Sequence, residues 1–379
     1  MAIFDYLSKL SELRTEIATT LNSKGIIVPQ DADLSTLVPK IKEITGDVIS
    51  GGFDKVLYSF GVLSDVHILD TSYDSYYTGE ARCRNALVQY QNALAFYKNS
   101  GADFVCVSGD IVAKNNSVNN GQTSEQQMSE WTSELIMFAN ANSSYFNDGE
   151  KKVYATTGNH DGLITLDNNG TDDGTHGLST IITNYGEGTK TAREVWNEII
   201  GSPTSFIFEK ENDVFMFLAE DFWNYVKPIT WSGASWLNEK LELYKEKRVF
   251  LFFHIPLTNT FDTGGGMDGA STTGASIKNA VSKYPNVIWF SGHTHYDLSI
   301  ETQEGYDNPN IFQKDDSMTM VHVPSCAYLR VKTPSGGHDN ADGSQGLWVD
   351  VYSNKVVIKG IDFMLGRFIK NVDYVINTN

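Results

Sequence analysis

The chain has 379 residues, 41% of them hydrophobic and 20% charged, which suits one large folded domain with an extra segment, or two domains, and excludes a disordered protein. Its formal net charge of -18 repels nucleic acid and anionic lipid over long range, so long DNA or RNA is not an expected partner. The charge does not exclude a small anionic substrate, because bound cations can dominate the field locally.

Residues 1–45 differ from the rest. Ile3, Leu7, Leu10, Leu13, Ile17 and Leu21 form an apolar stripe at helical spacing, and Gly25 is a helix stop. Asp33 or Ser35 can cap a second short helix carrying Leu37, Val38, Ile41 and Ile44. A helix pair this small buries little alone, so it is expected to pack on the main domain, on a copy of itself as a homo-oligomer, or on a partner. Residues 46–53, with three glycines, read as a linker, and 54–379 as the main domain. The amino terminus lacks a basic start followed by an apolar run, so the expectation is synthesis in a cytosol without a signal peptide. No apolar stretch approaches the roughly 18 residues of a membrane span.

From residue 54 short β-rich runs alternate with amphipathic segments. Strands are expected at 56–64, 103–108, 152–157, 205–209, 214–220, 248–253 and 287–290, with a turn at Lys210–Asp213. Helical faces are marked by Cys83, Leu87, Tyr90, Leu94 and Tyr97, then by Met128, Trp131, Leu135 and Phe138, and later by Trp236, Leu237 and Leu241. After about 317 only strand-like runs follow, such as MTMVHV, GLWVDVY and KVVIKGIDF. Alternation of strand and helix argues for an α/β layered domain, and the final strand-only section for a second sheet packed on the first. Cys83, Cys106 and Cys326 are odd in number, far apart and set among apolar residues, so they are read as buried free thiols.

Five short clusters each follow an expected strand. They are Asp65-Val66-His67, Gly109-Asp110, Gly158-Asn159-His160-Asp161, His254, and Gly292-His293-Thr294-His295. Ligands of α/β sheets bind at the carboxyl ends of strands, so residues distant in sequence can converge on one crevice. A lone Asp or His at a strand end is usually a turn or capping residue, but these clusters hold five of the chain's eight histidines. Carboxylate, imidazole and amide donors without thiolate suit Mn, Fe or Zn. The seven side chains of Asp65, His67, Asp110, Asn159, His254, His293 and His295 are about enough for two ions with one shared ligand.

In order and content the clusters resemble the calcineurin-like metallophosphoesterase signature D-x-H, G-D, G-N-H-[DE], H, G-H-x-H, over roughly residues 56–365. The resemblance implies a four-layer α/β/β/α sandwich and a binuclear phosphoesterase that hydrolyses a phosphate mono- or diester. Asp65, His67 and His295 would hold one divalent transition-metal ion and Asn159, His254 and His293 the other, with Asp110 bridging them. Two such ions about 3.5–4 Å apart share a hydroxide that attacks phosphorus in line. His160 would stand near the leaving-group oxygen and Asp161 would orient His160. Glycines 109, 158 and 292 would permit the tight turns that present the ligands.

The other histidines read differently. His322, in a strand-like run, is expected to be structural, and His176 and His338 to be solvated loop residues. His176 follows the third cluster closely enough to leave a place at the substrate mouth open. The acidic stretch 167–177 lacks the spacing of an EF-hand loop. The glycine-rich stretch 260–274 reads either as a lid or as an ordinary surface loop.

The segment LSELRTEIATTLNSKGIIVPQDADLSTLVPKIKEI is loosely similar to amino-terminal modules of bacteriophage tail and other virion proteins. That similarity implies attachment to virion or tail proteins through the helices, or trimerisation, and an enzyme acting on a cell-surface phosphodiester polymer. The alternative is a virion structural or host-binding protein that uses the phosphoesterase fold as a scaffold.

Overall fold

In the computed structural model the chain divides into two compact units, Met1–Leu57 and Tyr58–Asn379. The structure describes residues 55–72, 81–113, 124–146, 152–162, 181–183, 189–220, 231–257, 272–298, 312–314, 318–332 and 338–378, with eight isolated positions between 11 and 33. In the first unit Ser11, Arg14, Thr15 and Ile17–Thr19 are helical. The Thr15 and Thr19 hydroxyls donate to the carbonyls of Ser11 and Thr15, the i−4 bonding that helical threonine favours. The expected second helix and the linker lie outside the described residues.

The second unit runs β1 (Tyr58–Leu63), α1 (Ala86–Ser100), β2 (Phe104–Ser108), α2 (Ser124–Tyr145), β3 (Val153–Thr156), β4 (Ile181–Thr183), β5 (Thr189–Thr191), α3 (Ala192–Ile200), β6 (Phe206–Lys210), β7 (Asp213–Phe217), α4 (Trp231–Leu243), β8 (Arg248–Phe252), α5 (Thr272–Val281) and β9 (Val287–Ser291). The strand-rich remainder is β10 (Phe312–Lys314), β11 (Thr319–His322), β12 (Leu329–Lys332), β13 (His338–Ala341), β14 (Gln345–Val351), β15 (Lys355–Asp362) and β16 (Arg367–Asn377). Strand order is β16-β15-β14-β1-β2-β3 in one six-stranded sheet and β10-β11-β9-β8-β7-β6 in the other. Strands β1, β2 and β3 pair in parallel, as do β7, β8, β9 and β11. Among them FVCVS of β2 and VIWFS of β9 are apolar runs buried at every residue, as covered parallel strands require.

Three apolar layers separate four structural ones. Tyr90, Leu94 and Tyr97 of α1, Trp131, Leu135 and Phe138 of α2 and Trp196 of α3 pack on Val105, Val107 and Ala155 of the first sheet. Between the sheets Phe60, Phe104 and Cys106 meet Phe215, Phe217, Phe250, Phe252 and Phe290. Phe60 contacts Phe215 and Phe250 edge-on at 5.2 and 5.3 Å, aromatic geometry worth about 0.5–1.5 kcal/mol per pair beyond burial. Leu237 and Leu241 of α4 and Ile277 and Ala280 of α5 cover the far side of the second sheet. The architecture is the expected α/β/β/α sandwich.

Local chemistry sets the element ends. Gly101 stops α1 in the left-handed region at φ 88°, and its N–H bonds the carbonyls of Lys98 and Tyr97. Thr191 and Glu194 close a capping box at the start of α3. The helix expected from Cys83 starts at Ala86, because Ala81–Cys83 forms a separate 3-10 turn. Thr272–Gly274, expected in a glycine-rich loop, open α5, while 260–271 and the acidic stretch 167–177 with His176 fall outside the described residues. His338, expected in a loop, starts β13, which pairs with β12 through Lys332. All three cysteines are free and buried.

Candidate functional site

The clusters after β1, β2, β3, β8 and β9 meet at one edge of the sandwich, tied together by main chain. Asp65 N–H donates to Gly109 O (3.1 Å), His67 N–H to Asp110 O (3.0 Å) and Gly292 N–H to His254 O (3.0 Å). His293 N–H reaches across to the Asp65 carboxylate (3.0 Å), and the Ser64 hydroxyl donates to Ser108 O (3.0 Å). Asp65, His67, Asp110, His293 and His295 all have left-handed backbones, with φ between 48° and 72°. Among the described residues Glu211, in the β6–β7 turn, is the one other non-glycine residue with positive φ. Such strain is sustained only where surrounding contacts over-determine it, and it gathers at functional sites. The glycines serve two purposes. Gly109 is left-handed (φ 87°), whereas Gly292 is needed for close approach, since a side chain there would run into Ser64 Oγ and the Asp65 carboxylate.

Buried donor atoms converge in this frame. His254 Nδ1 lies 2.7 Å from Ser108 O, which only accepts, so Nδ1 carries a proton and Nε2 is the nitrogen left to ligate. Nε2 has no hydrogen-bond partner and stands 3.0 Å from Asp110 Oδ2 and 3.8 Å from Asp65 Oδ1. His295 Nε2 lies 2.9 Å from Asp65 Oδ1 and 3.2 Å from His67 Nε2. His67 Nε2 is 3.9 Å from both Asp65 and Asp110. His293 Nδ1 meets Asn159 Oδ1 at 2.9 Å. Three groups place their donor atoms within 4.8 Å of one another: Asp65 with His67 and His295, Asp110 with His254 and His293, and His67 with Asp110 and His160. Lone pairs facing lone pairs in a buried space repel unless a cation lies among them, so the donor set fits divalent ions.

The electrostatics express the same demand. Burial alone would lower the His254 imidazole, but the Asp110 and Asp65 carboxylates prevail and raise it to about 10. Burial would raise Asp65 and Asp110, yet facing imidazoles hold both below the ordinary carboxylate range. His293 is driven down to about 3 by burial and by His254, and His67 falls well below its usual value through burial, His160 and His295. Neutral imidazole and ionised carboxylate are the forms that ligate metal, so Asp65, Asp110, His67 and His293 stand ready, whereas His254 would give up a proton to a divalent ion.

His160 is half-buried, with its N–H on Asp110 Oδ1 (2.8 Å) and Nδ1 3.4 Å from Ala113 O. Its ring stands edge-on to that of His67 at 4.7 Å. Asp161 differs from the expectation that it orients His160. Its carboxylate accepts from the main-chain N–H groups of Ile111 (2.8 Å), Val112 (3.1 Å) and Gly158 (2.7 Å). It thereby locks the loop after β2 to the loop after β3. Burial and then Asp110 push Asp161 up to about 7, while bonds from Gly158 and Val112 pull it down. His322 is fully engaged, with Nδ1 3.0 Å from Thr294 Oγ1 and Nε2 3.1 Å from Tyr296 O, so it props the loop that carries His293 and His295.

A cleft of about 270 Å³ opens over the cluster, lined by Asp110, Asn159, His160, His293 and His295 together with a second group, Arg82, Tyr328, Arg330 and Asn340. The second group was not foreseen from sequence. Ser325-Cys326-Ala327-Tyr328 shortly follows β11 as the other clusters follow their strands, and that was the available signal. Arg82 in its 3-10 turn and Asn340 in β13 gave none.

A sequence model described as calcineurin-like phosphoesterase matches residues 58–297. No curated protein matches the sequence. Among solved structures, a dimetal phosphatase from Danio rerio is similar with a TM-score of 0.50 at 11% identity, covering 86% of this chain and 100% of that one. Purple acid phosphatase PPD1 from yellow lupin (Lupinus luteus) seeds is similar with a TM-score of 0.51 at 10% identity, covering 86% of this chain and 55% of that one. At such identities the two likenesses show a shared fold.

Proposed function

Because the chain belongs to the calcineurin-like phosphoesterase family, we propose that it hydrolyses a phosphate ester at this cleft with two divalent transition-metal ions. The observation that carries the reading is the convergence of buried carboxylate and imidazole donor atoms on one cleft, with His254 Nε2 left without a hydrogen-bond partner. Asp65, His67 and His295 would hold one ion, Asn159, His254 and His293 the other, and Asp110 would face both. When bound, such a pair supplies an acidified water and takes up charge growing on the phosphoryl oxygens.

The chain's own residues do the rest. The Ser108 carbonyl fixes the His254 tautomer, and Asp65 and Asp110 stay ionised because imidazoles surround them. Asp161 keeps the Asp110 and Asn159 loops in register through its three N–H bonds. His160, lining the cleft, donates a proton to the leaving oxygen as the phosphorus–oxygen bond breaks, so the alcohol departs neutral.

The test is metal content of the purified protein paired with hydrolysis of p-nitrophenyl phosphate and bis-p-nitrophenyl phosphate. About two transition-metal ions per chain, with hydrolysis lost on chelation, is the expected result. A folded, metal-free protein that stays inactive after Mn or Zn is added would sink the reading and favour a scaffold or binding role.

The finer reading is an enzyme borne on a phage tail that cuts a surface polymer such as teichoic acid. Its support is the similarity of the amino-terminal segment to virion modules. Failure of the active protein to release phosphate or glycerol phosphate from host cell wall would dispose of it.

A further inference from the structure

Beside the donor cluster, the cleft lining holds groups that the cluster does not need. These are Arg82, Tyr328, Arg330 and Asn340, in a chain whose net charge is -18 and which has only seven arginines. The Arg82 guanidinium carbon sits 4.4 Å over the Tyr328 ring centroid, and that ring lies 4.3 Å from His295 and 5.6 Å from His67. Stacking holds the guanidinium in place before any ligand arrives, which reduces the ordering cost of binding. Arg330 is fixed by its backbone. Its N–H donates to His295 O (2.8 Å) and its carbonyl accepts from Asp297 N–H (3.2 Å), so its distance from the donor cluster is set by main chain. Among the described residues no carboxylate forms an ion pair with Arg330. Asn340 pairs with Arg330 across the β12–β13 hairpin and brings an amide to the same lining.

We infer that Arg82, Arg330 and Asn340 form a second anion subsite, so that the substrate is a phosphate ester whose alcohol portion carries a further phosphate or carboxylate group. The inference rests on the phosphoesterase reading of the neighbouring cluster. A guanidinium fork donates two parallel N–H···O bonds to either kind of group, which an ammonium cannot do. At about 270 Å³ the cleft falls just below the range of drug-sized pockets, with room for the reacting phosphoryl group and one compact neighbour.

The test is calorimetric binding to the full-length protein supplied with Mn. Methylphosphonate offers one anionic group, 3-phosphonopropionate adds a carboxylate, and propane-1,3-diyl bisphosphonate adds a second phosphonate. One of the two-anion ligands should bind at least about tenfold tighter than methylphosphonate. R330Q should remove that advantage and leave methylphosphonate binding unchanged. R82Q, on a separate segment, is the second variant should R330Q fail to fold. Which two-anion ligand wins separates carboxylate from phosphate. Equal binding of all three, or no binding of any, overturns the subsite. So does an advantage that survives both variants, since chelation of the ions would then explain it. Hydrolysis of p-nitrophenyl phosphate separates the two ideas. Turnover without two-anion preference defeats the subsite alone, and a two-anion preference lost in R330Q without any turnover defeats the hydrolase alone.

Discussion

The same strands carry buried charge at both ends, and the two ends treat it in opposite ways. Where β1, β7 and β8 begin, Asp213 is met by Arg248 through two bonds of 2.9 and 2.7 Å and by the Tyr58 hydroxyl at 2.5 Å. Arg248 spends its other donors on Tyr352 O and Thr378 Oγ1, both at 3.0 Å. Every charge there has an opposite charge or a dipole from the chain itself. Where β1, β2, β3, β8 and β9 end, carboxylates and imidazoles of similar burial face one another, and His254 Nε2 is left without a hydrogen bond. A saturated buried network holds the sandwich together, whereas an unsaturated one asks for a cation from outside. Five of the six non-glycine residues with left-handed backbones among the described residues fall on the second end, and the first has one, Glu211 in the turn before β7.

Asp110→Asn, at the unsaturated end, should have the largest effect. It removes the carboxylate that stands between the two donor groups and accepts from His160 N–H. Activity should fall by more than the roughly 10²–10³ that loss of one electrostatic contact costs at an active site, and metal content should drop with it. Full metal content and activity in this variant would mean that Asp110 is not shared. His160→Ala comes next. It should keep the metal and lose about 10²–10⁴ in rate, more for poor leaving groups than for p-nitrophenolate. Equal losses on both would count against proton donation.

Arg248→Met probes the saturated end. Both partners are nearly buried, with side chains 9% and 5% exposed, so removing one leaves Asp213 uncompensated at a cost of about 3–5 kcal/mol. Urea denaturation should show that loss, while activity per folded molecule and metal content stay at the parent level. A loss of activity without a loss of stability would erase the distinction between the two ends.

Legibility in the sequence followed the same division. The five clusters could be read because each sits directly after an uninterrupted apolar strand, so local pattern alone says that they share an edge. The layers followed from the alternation of strand and helix and from the strand-only tail. The arginine-bearing part of the cleft lining was hidden, because Arg82 and Arg330 reach it through a 3-10 turn and a short hairpin whose GGHDN stretch reads as loop. Asp161 was placed correctly in a cluster, but its partners are main-chain N–H groups about 50 residues upstream as well as Gly158, which no spacing within GNHD reveals. Gly292 looked like a turn glycine and proves to be one of close approach, since the atoms it must avoid belong to Ser64 and Asp65.

The smallest effect tests whether a buried histidine next to the cluster belongs with the saturated groups. His322 is held neutral, driven down to about 4, with burial the largest cause, while Thr294 and Tyr296 take its two nitrogens. Unfolded, it titrates near 6.5. Its contribution to stability is therefore fully present above pH 6.5. Below that the unfolded chain binds a proton that the native state refuses, so stability is lost as pH falls toward about 4. His322→Gln keeps an amide to donate to Tyr296 O but has no proton to gain. Measured under chelator, it should be less stable than the parent at pH 8 by about 1 kcal/mol. Between pH 6.5 and 4 it should lose stability more slowly, by up to about 1.4 kcal/mol per pH unit. His67 and His293 titrate in both proteins and cancel in the difference. Parallel curves would show that His322 takes up its proton as readily in the folded chain as in the unfolded one, and the prop beneath the His293–His295 loop would then be a looser contact than its two hydrogen bonds suggest.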